Sequence, residues 1–222
     1  VRGGVGGAGG GVGMRVVCGA GMWLCFFFFT APATTEICTL SLPDALPICA
    51  QAHLVMGFRG VSVSDPDRGA LDVISQILAG QSGRLFLELR DKKSLAYTVS
   101  AMSVEGLAPG FFAVYIATAP EKVEEARSGM LEELAKLVGE APGEEELRHA
   151  KRNLTGNHAI GQQRNSGHAG HMALDGLYGL GPGANQEYAA SIDTVTQDDV
   201  VRVAQRVIVL DAYTEEIGRA HV

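Results

Sequence analysis

The chain has 222 residues, of which 46% are hydrophobic and 19% are charged, and its formal net charge is −7. An acidic chain without clusters of lysine and arginine is not typical of proteins that bind nucleic acid, so we exclude that class of partner. After residue 49, no apolar run is long enough to span a bilayer, and we expect no membrane span.

The first 49 residues differ in composition from the rest of the chain. Ten of the 29 glycines lie in residues 1–21, where too few apolar side chains are present to offset the entropy of ordering. The run ATTEICTLSLPDALPI, residues 33–48, closely resembles the conceptual translation of a DNA sequencing adapter. A secretory signal peptide, with Arg15 as its charged flank, is the alternative interpretation.

The last six residues, IGRAHV, match the translation of the opposite adapter. Two such matches at opposite ends favour an artefact over a signal peptide. We therefore expect residues 1–49 to be a disordered, adapter-derived head and residues 217–222 to be an adapter-derived tail. Residues 50–216 remain as one domain, truncated at its end. All four cysteines lie in the head, so no disulfide framework or zinc knuckle is predicted.

The domain begins with a predicted strand followed by a predicted helix. His53–Phe58 is a short apolar run bounded by glycines, which is typical of a strand. The helix is expected to have Ser64 or Asp65 as its cap and Pro66 at its first helical position. Apolar residues at helical spacing then continue until Gly80, which ends the helix.

A second helix and two strands are predicted next. Residues 83–92, GRLFLELRDK, place their apolar side chains on one helical face. Residues 95–104 and 110–118 are predicted strands, and the turn GLAPG between them favours an antiparallel pair. Residues 120–138 have the apolar stripe of a helix that packs on this sheet.

The remainder of the domain is predicted to be mainly helical. Helices are expected over 143–154 and 168–181, and the last helix is expected to begin at a capping-box-like pair, Thr196 and Asp199. Residues 212–216 are a candidate final strand. Strands followed by a string of helices indicate an α+β fold, in which helices cover one side of an antiparallel sheet.

Four blocks of sequence resemble one known family, and together they extend over nearly all of the domain. The blocks are GQSGRLFLELRDKKSLAYTVSA, GFFAVYIATAPEKVEEA, GEEELRHAKRNL and SIDTVTQDDVVRVAQ. They resemble the C-terminal, non-zinc-binding type of domain in the pitrilysin/insulinase zinc peptidases, the group that includes mitochondrial processing peptidase. The resemblance implies an α+β domain that forms part of a clam-shell enclosure around a peptide.

The resemblance also implies that zinc is held elsewhere. In this family one domain carries H-x-x-E-H, in which two histidines bind zinc together with a later glutamate. This chain has no H-x-x-E-H, and the histidines of the domain, His53, His149, His158, His168 and His171, lack a glutamate at the required offset. We therefore expect no cofactor in this chain, a partner domain or subunit that bears the zinc motif, and a peptide substrate.

Arg90 and Tyr97 are the candidate catalytic residues. The resemblance implies that an arginine and a tyrosine at this separation face the scissile peptide bond. A guanidinium is charged at every working pH and a phenol offers one O–H donor, so both suit a carbonyl oxygen that gains negative charge. The alternative is a packing role, because the helix dipole and β propensity alone explain these residue types.

The sequence holds one further candidate cluster of titratable side chains. His168, His171 and Asp175 share one side of a predicted helix, and an apolar face lies opposite. We interpret these three residues as a solvent-facing surface and not as metal ligands.

The sequence thus yields two functional hypotheses. The first is the substrate-enclosing half of a zinc metalloendopeptidase, inactive without its zinc-bearing counterpart. The second is a non-catalytic structural or partner-binding subunit of the same fold. An enzyme whose chemistry is wholly internal is disfavoured because the metal motif is missing.

Overall fold

The computed structural model describes residues 51–80, 82–181 and 183–219, and of Arg219 only the backbone is described. The described residues fall within one compact unit, Pro47–Val222. The predictions for the head, residues 1–49, including its disorder and its poor packing on the domain, lie outside the described residues.

Four strands form one antiparallel sheet in the described part of the chain: β1 (Ala52–Arg59), β2 (Thr98–Val104), β3 (Phe111–Thr118) and β4 (Thr214–Arg219). Their order is β2-β3-β1-β4, so β3 and β1 are the central strands. The β1–β3 register places Leu54 opposite Ile116 and Met56 opposite Val114. All four side chains are fully buried, at 0% exposure, because this face of the sheet packs against helices.

The helices follow the predicted order with one addition. They are α1 (Arg68–Ala79), α2 (Val123–Gly139), α3 (Glu144–Gly161), α4 (Asn165–Tyr178), α5 (Ala184–Thr194) and α6 (Gln197–Val207). A π-helical segment, Phe86–Lys92, precedes β2, and a 3₁₀ turn, Pro120–Lys122, precedes α2. Helix α5 was not predicted, since its sequence, ANQEYAASIDT, has only a weak apolar stripe.

Helices α1 and α2 contact the sheet, α6 packs on both of them, and α3 and α5 pack on α1. Leu71, Ile74 and Leu78 of α1 have helical spacing and are fully buried, so the apolar stripe of this helix faces the core. Each such side chain contributes about 1.5–3 kcal/mol through its burial. The predicted fold class, an α+β domain with helices on one side of an antiparallel sheet, is confirmed.

The start of α1 differs from the prediction. The helix begins at Arg68, with Asp67 as its N-cap residue, so Pro66 lies in the preceding turn. The carboxylate of Asp65 accepts a hydrogen bond from the backbone N–H of Asp67 at 2.9 Å and one from Arg206 on α6 at 2.8 Å. Because Arg206 on α6 binds the Asp65 carboxylate, the turn before α1 continues to Asp67, and the helix begins later than predicted.

The start of α6 agrees with the prediction. Thr196 is the N-cap, and its hydroxyl accepts a hydrogen bond from the backbone N–H of Asp199 at 3.1 Å. The carboxylate of Asp199 in turn accepts one from the backbone N–H of Thr196 at 3.0 Å. The predicted capping box is confirmed.

Strand β4 extends past the predicted end of the domain. Its pairing with β1 places Ile217 opposite Leu54 and Arg219 opposite Ala52. Strand pairing uses backbone groups that any residue except proline supplies, so it does not identify the origin of residues 217–222. The adapter origin of these residues therefore stays a prediction.

No helix in the described ranges combines the length and the apolarity that a membrane span requires.

A close backbone approach near the β2–β3 turn generates a stability prediction. The N–H of Gly110 donates to the carbonyl of Val61 at 3.0 Å, and a Cβ at Gly110 would overlap the carbonyl oxygen of Val104. We expect Gly110→Ala to lower the free energy of unfolding by roughly 1–3 kcal/mol, because backbone must move to relieve the overlap. The denaturant midpoint, at an unchanged m-value, measures this loss.

The matched control is Gly156→Ala on the exposed face of α3, where a Cβ would meet no atom within 4 Å. Alanine should there raise stability by about 0.5–1 kcal/mol through helix propensity. Equal effects of the two substitutions would contradict the packing assigned to Gly110.

Candidate functional site

Arg90 lies in the π-helical segment and not in an ordinary α-helix. The N–H of Lys93 donates to the carbonyl of Glu88 at 3.1 Å, and the N–H of Leu95 donates to the carbonyl of Leu89 at 2.7 Å. These bonds join residues five and six positions apart, so this turn is wider than an α-helical one. The widened turn leaves Leu89 buried and Arg90 exposed.

The π-helical segment is held against α2 by close packing at a glycine. The side chain of Leu89 is fully buried, and its Cδ2 atom occupies the space that a Cβ at Gly129 would need. Because Gly129 has no side chain, the segment can approach the backbone of α2. The position of Arg90 is therefore set by the buried residue next to it.

The chain reverses direction at Ser94. This residue has φ = +50°, the left-handed conformation that side chains other than glycine seldom adopt. The Nζ atom of Lys122 donates a hydrogen bond to the Ser94 carbonyl at 3.2 Å. The reversal ends the π-helical segment and directs the next residues towards β3.

The residues after the reversal are fixed to strand β3. Leu95 and Ala96 are buried, and the Thr118 hydroxyl donates a hydrogen bond to the Leu95 carbonyl at 2.5 Å. The backbone N–H of Tyr97 donates to the carbonyl of Ala117 at 3.0 Å. We name residues 90–97 the junction, and its backbone is attached at both ends to the core of the domain.

Both predicted site residues project from the junction into solvent. Tyr97 is 74% exposed, and the Arg90 guanidinium lies over the ring of Phe86, 4.6 Å from its centroid. Within the described ranges, no carboxylate pairs with Arg90 and no hydrogen bond involves the Tyr97 hydroxyl. Their donors are thus available to a group outside the domain, as an anion-stabilising role requires.

The two lysines of the junction differ from Arg90. Lys92 forms an ion pair with Glu88, and Lys93 lies 3.4 Å from the carboxylate of Glu132. The hydrogen bond from Lys92 holds the pKa of the Glu88 carboxyl below its usual value. The positive charge of both lysines is therefore partly neutralised within the domain, whereas that of Arg90 is not.

The residues on α4 are arranged differently from the sequence interpretation. Asp175 is buried, at 9% exposure, and its Oδ2 atom accepts a hydrogen bond from the backbone N–H of Asn185 at 3.2 Å. The His171 ring centroid lies 6.0 Å from that of His158 on α3. The interpretation of His168, His171 and Asp175 as a solvent-facing surface is wrong for Asp175, which points towards α5.

The described residues do not fit a zinc ion. No group of three histidine, cysteine, aspartate or glutamate side chains converges anywhere in the described ranges. The histidines with hydrogen bonds have structural partners: His53 Nδ1 lies 2.7 Å from the Tyr115 hydroxyl, and His158 Nε2 lies 3.1 Å from the Asn185 carbonyl oxygen.

A cavity of about 300 Å³ lies beside the edge strand β2. Asp72 on α1 lines it, and the hydroxyl of Tyr188 on α5 donates a hydrogen bond to its carboxylate at 3.2 Å. Burial, followed by the nearby charge of Glu105, raises the pKa of Asp72 to about 6. Asp72 is not among the site residues predicted from the sequence, although an acid inside the apolar run ALDVI is a signal of a buried carboxylate.

The conformation of Ser94 generates one prediction. A left-handed residue with a side chain is strained by roughly 1–2 kcal/mol, and β-branching increases the strain. We expect Ser94→Gly to keep or raise the free energy of unfolding, because it relieves this strain, and Ser94→Val to lower it, because β-branching adds to the strain that serine already carries. Urea denaturation of both variants measures the difference, and equal midpoints would contradict a left-handed junction.

The raised pKa of Asp72 generates a second prediction. The folded state binds this proton more tightly than the unfolded state does, so the stabilisation is complete below about pH 4 and is lost as pH rises to about 6. Asp72→Asn should therefore stabilise the protein at pH 7.5, on the order of 1–3 kcal/mol, and the gain should vanish near pH 4.

The control for this pH dependence is Asp199→Asn. Hydrogen bonds, chiefly from Thr196 and Arg202, lower the pKa of Asp199 to about 2, so its contribution is present at neutral pH and is lost in acid. This variant should be less stable than wild type at pH 7.5. Denaturation midpoints from pH 2 to 8 test both signs, and a gain for Asp72→Asn that does not depend on pH would contradict the assignment.

Comparison with known proteins identifies the family. Residues 28–154 match the family model described as the Peptidase M16 inactive domain. The match begins inside the predicted head, whose adapter origin stays a prediction. An uncharacterized zinc protease of Streptomyces coelicolor is 29% identical over 159 residues, which are 71% of this chain and 35% of that protein. An uncharacterized zinc protease of Mycobacterium leprae is 31% identical over 161 residues, covering 71% of this chain and 36% of its own length.

Solved structures share the fold. The peptidase M16 inactive domain from Pseudomonas fluorescens aligns with a TM-score of 0.70 and 24% identity, over 76% of this chain and 41% of that chain. A solved inactive peptidase domain from Bordetella parapertussis aligns with a TM-score of 0.69 and 20% identity, over 81% of this chain and 97% of that one. A chain of complex III2 from Candida albicans aligns with a TM-score of 0.67 and 15% identity, over 77% of this chain and 43% of that chain.

The chain thus spans about a third of the length of the two zinc proteases, and its described fold is that of the solved inactive domains. The family resemblance of the four sequence blocks is confirmed. The chain belongs to the Peptidase M16 inactive domain family, and the curated relatives that it matches are named zinc proteases.

Proposed function

We propose that this chain is the substrate-enclosing half of a zinc metalloendopeptidase, in which Arg90 and Tyr97 stabilise the scissile carbonyl oxygen of a bound peptide. The observation that carries the proposal is the junction: it is fixed to the core, yet it presents a guanidinium and a phenol that have no carboxylate or hydrogen-bond partner within the described ranges.

The chemistry of peptide hydrolysis requires such donors. When water attacks a peptide carbonyl, the oxygen gains negative charge, and donors already aimed at that oxygen lower the barrier. Arg90 supplies a permanent positive charge and several N–H donors, and Tyr97 supplies one O–H donor on a rigid ring. One lost oxyanion donor reduces turnover by on the order of 10²–10³ in other hydrolases.

The attachment of the junction supports this assignment. Donors stabilise a transition state well only if they need not reorganise during the reaction. The hydrogen bond from Thr118 to Leu95 and the burial of Leu89 hold the backbone at both ends of the junction. The backbone from which Arg90 and Tyr97 project is therefore already ordered before a substrate binds.

The proposal places the zinc outside this chain. The described residues do not fit the ion, and the similar zinc proteases are nearly three times as long as the segments that match. We assign an H-x-x-E-H motif to the part of the protein that this chain does not include, on the same polypeptide or on a partner subunit. Zinc bound there would activate the attacking water.

The second candidate is a non-catalytic structural or partner-binding subunit of the same fold. The family description, an inactive domain, favours it because a domain of this kind need not contact the reacting atoms. In that case Arg90 and Tyr97 would be surface residues without a role in turnover.

Substitution of Tyr97 distinguishes the two candidates. The test protein is a chimera in which this chain replaces the matched segment of the Streptomyces coelicolor zinc protease, assayed with a quenched fluorescent peptide library. We expect Tyr97→Phe to lower kcat by on the order of 10²–10³ while zinc content stays at the level of the parent chimera, because only a donor to the transition state is lost.

Tyr213→Phe is the matched control. It also removes one phenol oxygen, but that oxygen accepts a hydrogen bond from Arg127 at 2.9 Å and has a structural role. The control should leave kcat unchanged. An unchanged kcat for Tyr97→Phe, in a chimera that cleaves peptide, would refute the catalytic proposal and support the structural subunit.

A further inference from the structure

Helix α4 is oriented opposite to an ordinary surface helix. Its apolar side chains are exposed: Met172 at 61%, Leu174 at 48% and Leu177 at 73%. Asp175, in contrast, is the buried residue of this helix. A surface helix normally buries its apolar stripe and exposes its charged residues, so the orientation of α4 needs a specific cause.

The cause lies in the polar contacts of the inner side of α4. The carboxylate of Asp175 accepts a hydrogen bond from the backbone N–H of Asn185 on α5 at 3.2 Å. A Cβ at Gly167 would overlap the carbonyl oxygen of Gly161 at the end of α3. The contact of Asp175 with α5 fixes which residues of α4 face the domain, so Leu177, on the opposite side of the helix, faces outward.

Helix α3 also carries an exposed apolar side chain near its end. Ile160 on α3 is 63% exposed. On α4, a Cβ added at Gly170 or Gly176 would meet no atom within 4 Å, so both glycines face open space. We name this surface the α3–α4 patch; its side chains are Ile160, Ala169, Met172, Ala173, Leu174 and Leu177.

The α3–α4 patch lacks charge in an otherwise acidic protein. Residues 153–177 contain one acidic residue, the buried Asp175, and Arg164 is their one lysine or arginine, whereas the whole chain has a net charge of −7. Exposed apolar patches mark interaction sites, and interfaces that are permanently buried are more apolar than those of transient complexes. The patch thus has the composition of a permanent interface.

The length of the relatives identifies an occupant. The matched segment is 35% of the Streptomyces coelicolor protease and 36% of the Mycobacterium leprae protease, so most of each relative lies outside the region similar to this chain. A further segment of the same polypeptide, or a subunit that stays bound, would keep this surface covered, which suits an apolar surface that is costly to leave in water.

We propose that the α3–α4 patch is the docking surface for the remaining part of the protein, against which Met172, Leu174 and Leu177 are buried. The occupant is an apolar surface of the segment to which the proposed function assigns zinc, and in this respect the inference rests on that function. The exposed glycines Gly170 and Gly176 let the backbone of the occupant approach α4 closely.

Thiol labelling tests the proposal without measuring activity. Leu177→Cys is compared with Leu107→Cys, a leucine of equal exposure, 73% against 72%, in the turn between β2 and β3. Each cysteine is placed in the isolated 222-residue chain and in the Streptomyces coelicolor chimera, and labelling of its peptide is followed by mass spectrometry. The four natural cysteines, all before residue 50, lie on other peptides.

We expect position 177 to be labelled quickly in the isolated chain and roughly tenfold or more slowly in the chimera, because an interface core excludes solvent. Position 107 should be labelled equally in both. Equal labelling of position 177 in both proteins would overturn the proposal. Protection of position 177 in the isolated chain that increases with protein concentration would also overturn it, because the occupant would then be a second copy.

The result is separable from the test of the proposed function. Protection of position 177 with an unchanged kcat for Tyr97→Phe would retain the docking surface and remove the catalytic role. Equal labelling of position 177 in both proteins, with a lowered kcat for Tyr97→Phe, would remove the docking surface and retain the catalytic role.

Discussion

The hydrogen bond from the Thr118 hydroxyl to the Leu95 carbonyl is the contact on which the candidate site depends. Thr118 is 2% exposed, Leu95 is 3% exposed, and the bond is 2.5 Å long. If it were broken, a buried donor and a buried acceptor would lose their partner, at about 1–3 kcal/mol for each unsatisfied group. Because Thr118 is the last residue of the central strand β3, this bond attaches the junction directly to the sheet.

The other end of the junction depends on packing. Leu89 occupies the space above Gly129, and the wide π-helical turn allows Leu89 to point inward while Arg90 points outward. The left-handed Ser94 then reverses the chain within a few residues. Strain of this kind persists only where surrounding contacts determine the backbone, and here burial and hydrogen bonds flank it on both sides.

The sequence predicted the elements whose pattern is local. Alternating and helical spacing located the strands and most helices, and the capping box located the start of α6. The π-helical turn and the conformation of Ser94 have no local signature, since both follow from contacts with α2 and β3. Likewise, the start of α1 is determined by Arg206, which contacts Asp65 from 141 positions away along the chain. The candidate roles of Arg90 and Tyr97 came from family resemblance, and periodicity alone would not have selected them.

Helix α4 shows a different limit of sequence interpretation. Helical spacing divides its residues into an apolar group and a group that carries histidine and aspartate, but spacing does not determine which group is inside. That choice follows from the environment, and a domain that is part of a larger protein has two environments, its own core and its partner. Asp175 finds its hydrogen bonds within the domain, while the leucines and the methionine do not find a cover there.

Exposure to water costs little free energy at the junction and more at the α3–α4 patch. A guanidinium and a phenol are well solvated in water, so Arg90 and Tyr97 can stay exposed without a cost in free energy when no substrate is bound. An apolar surface of several side chains is unfavourable in water and promotes association. Under the proposed assignment, the patch is therefore covered permanently and the junction only transiently, which is the division expected between an interface and a substrate site.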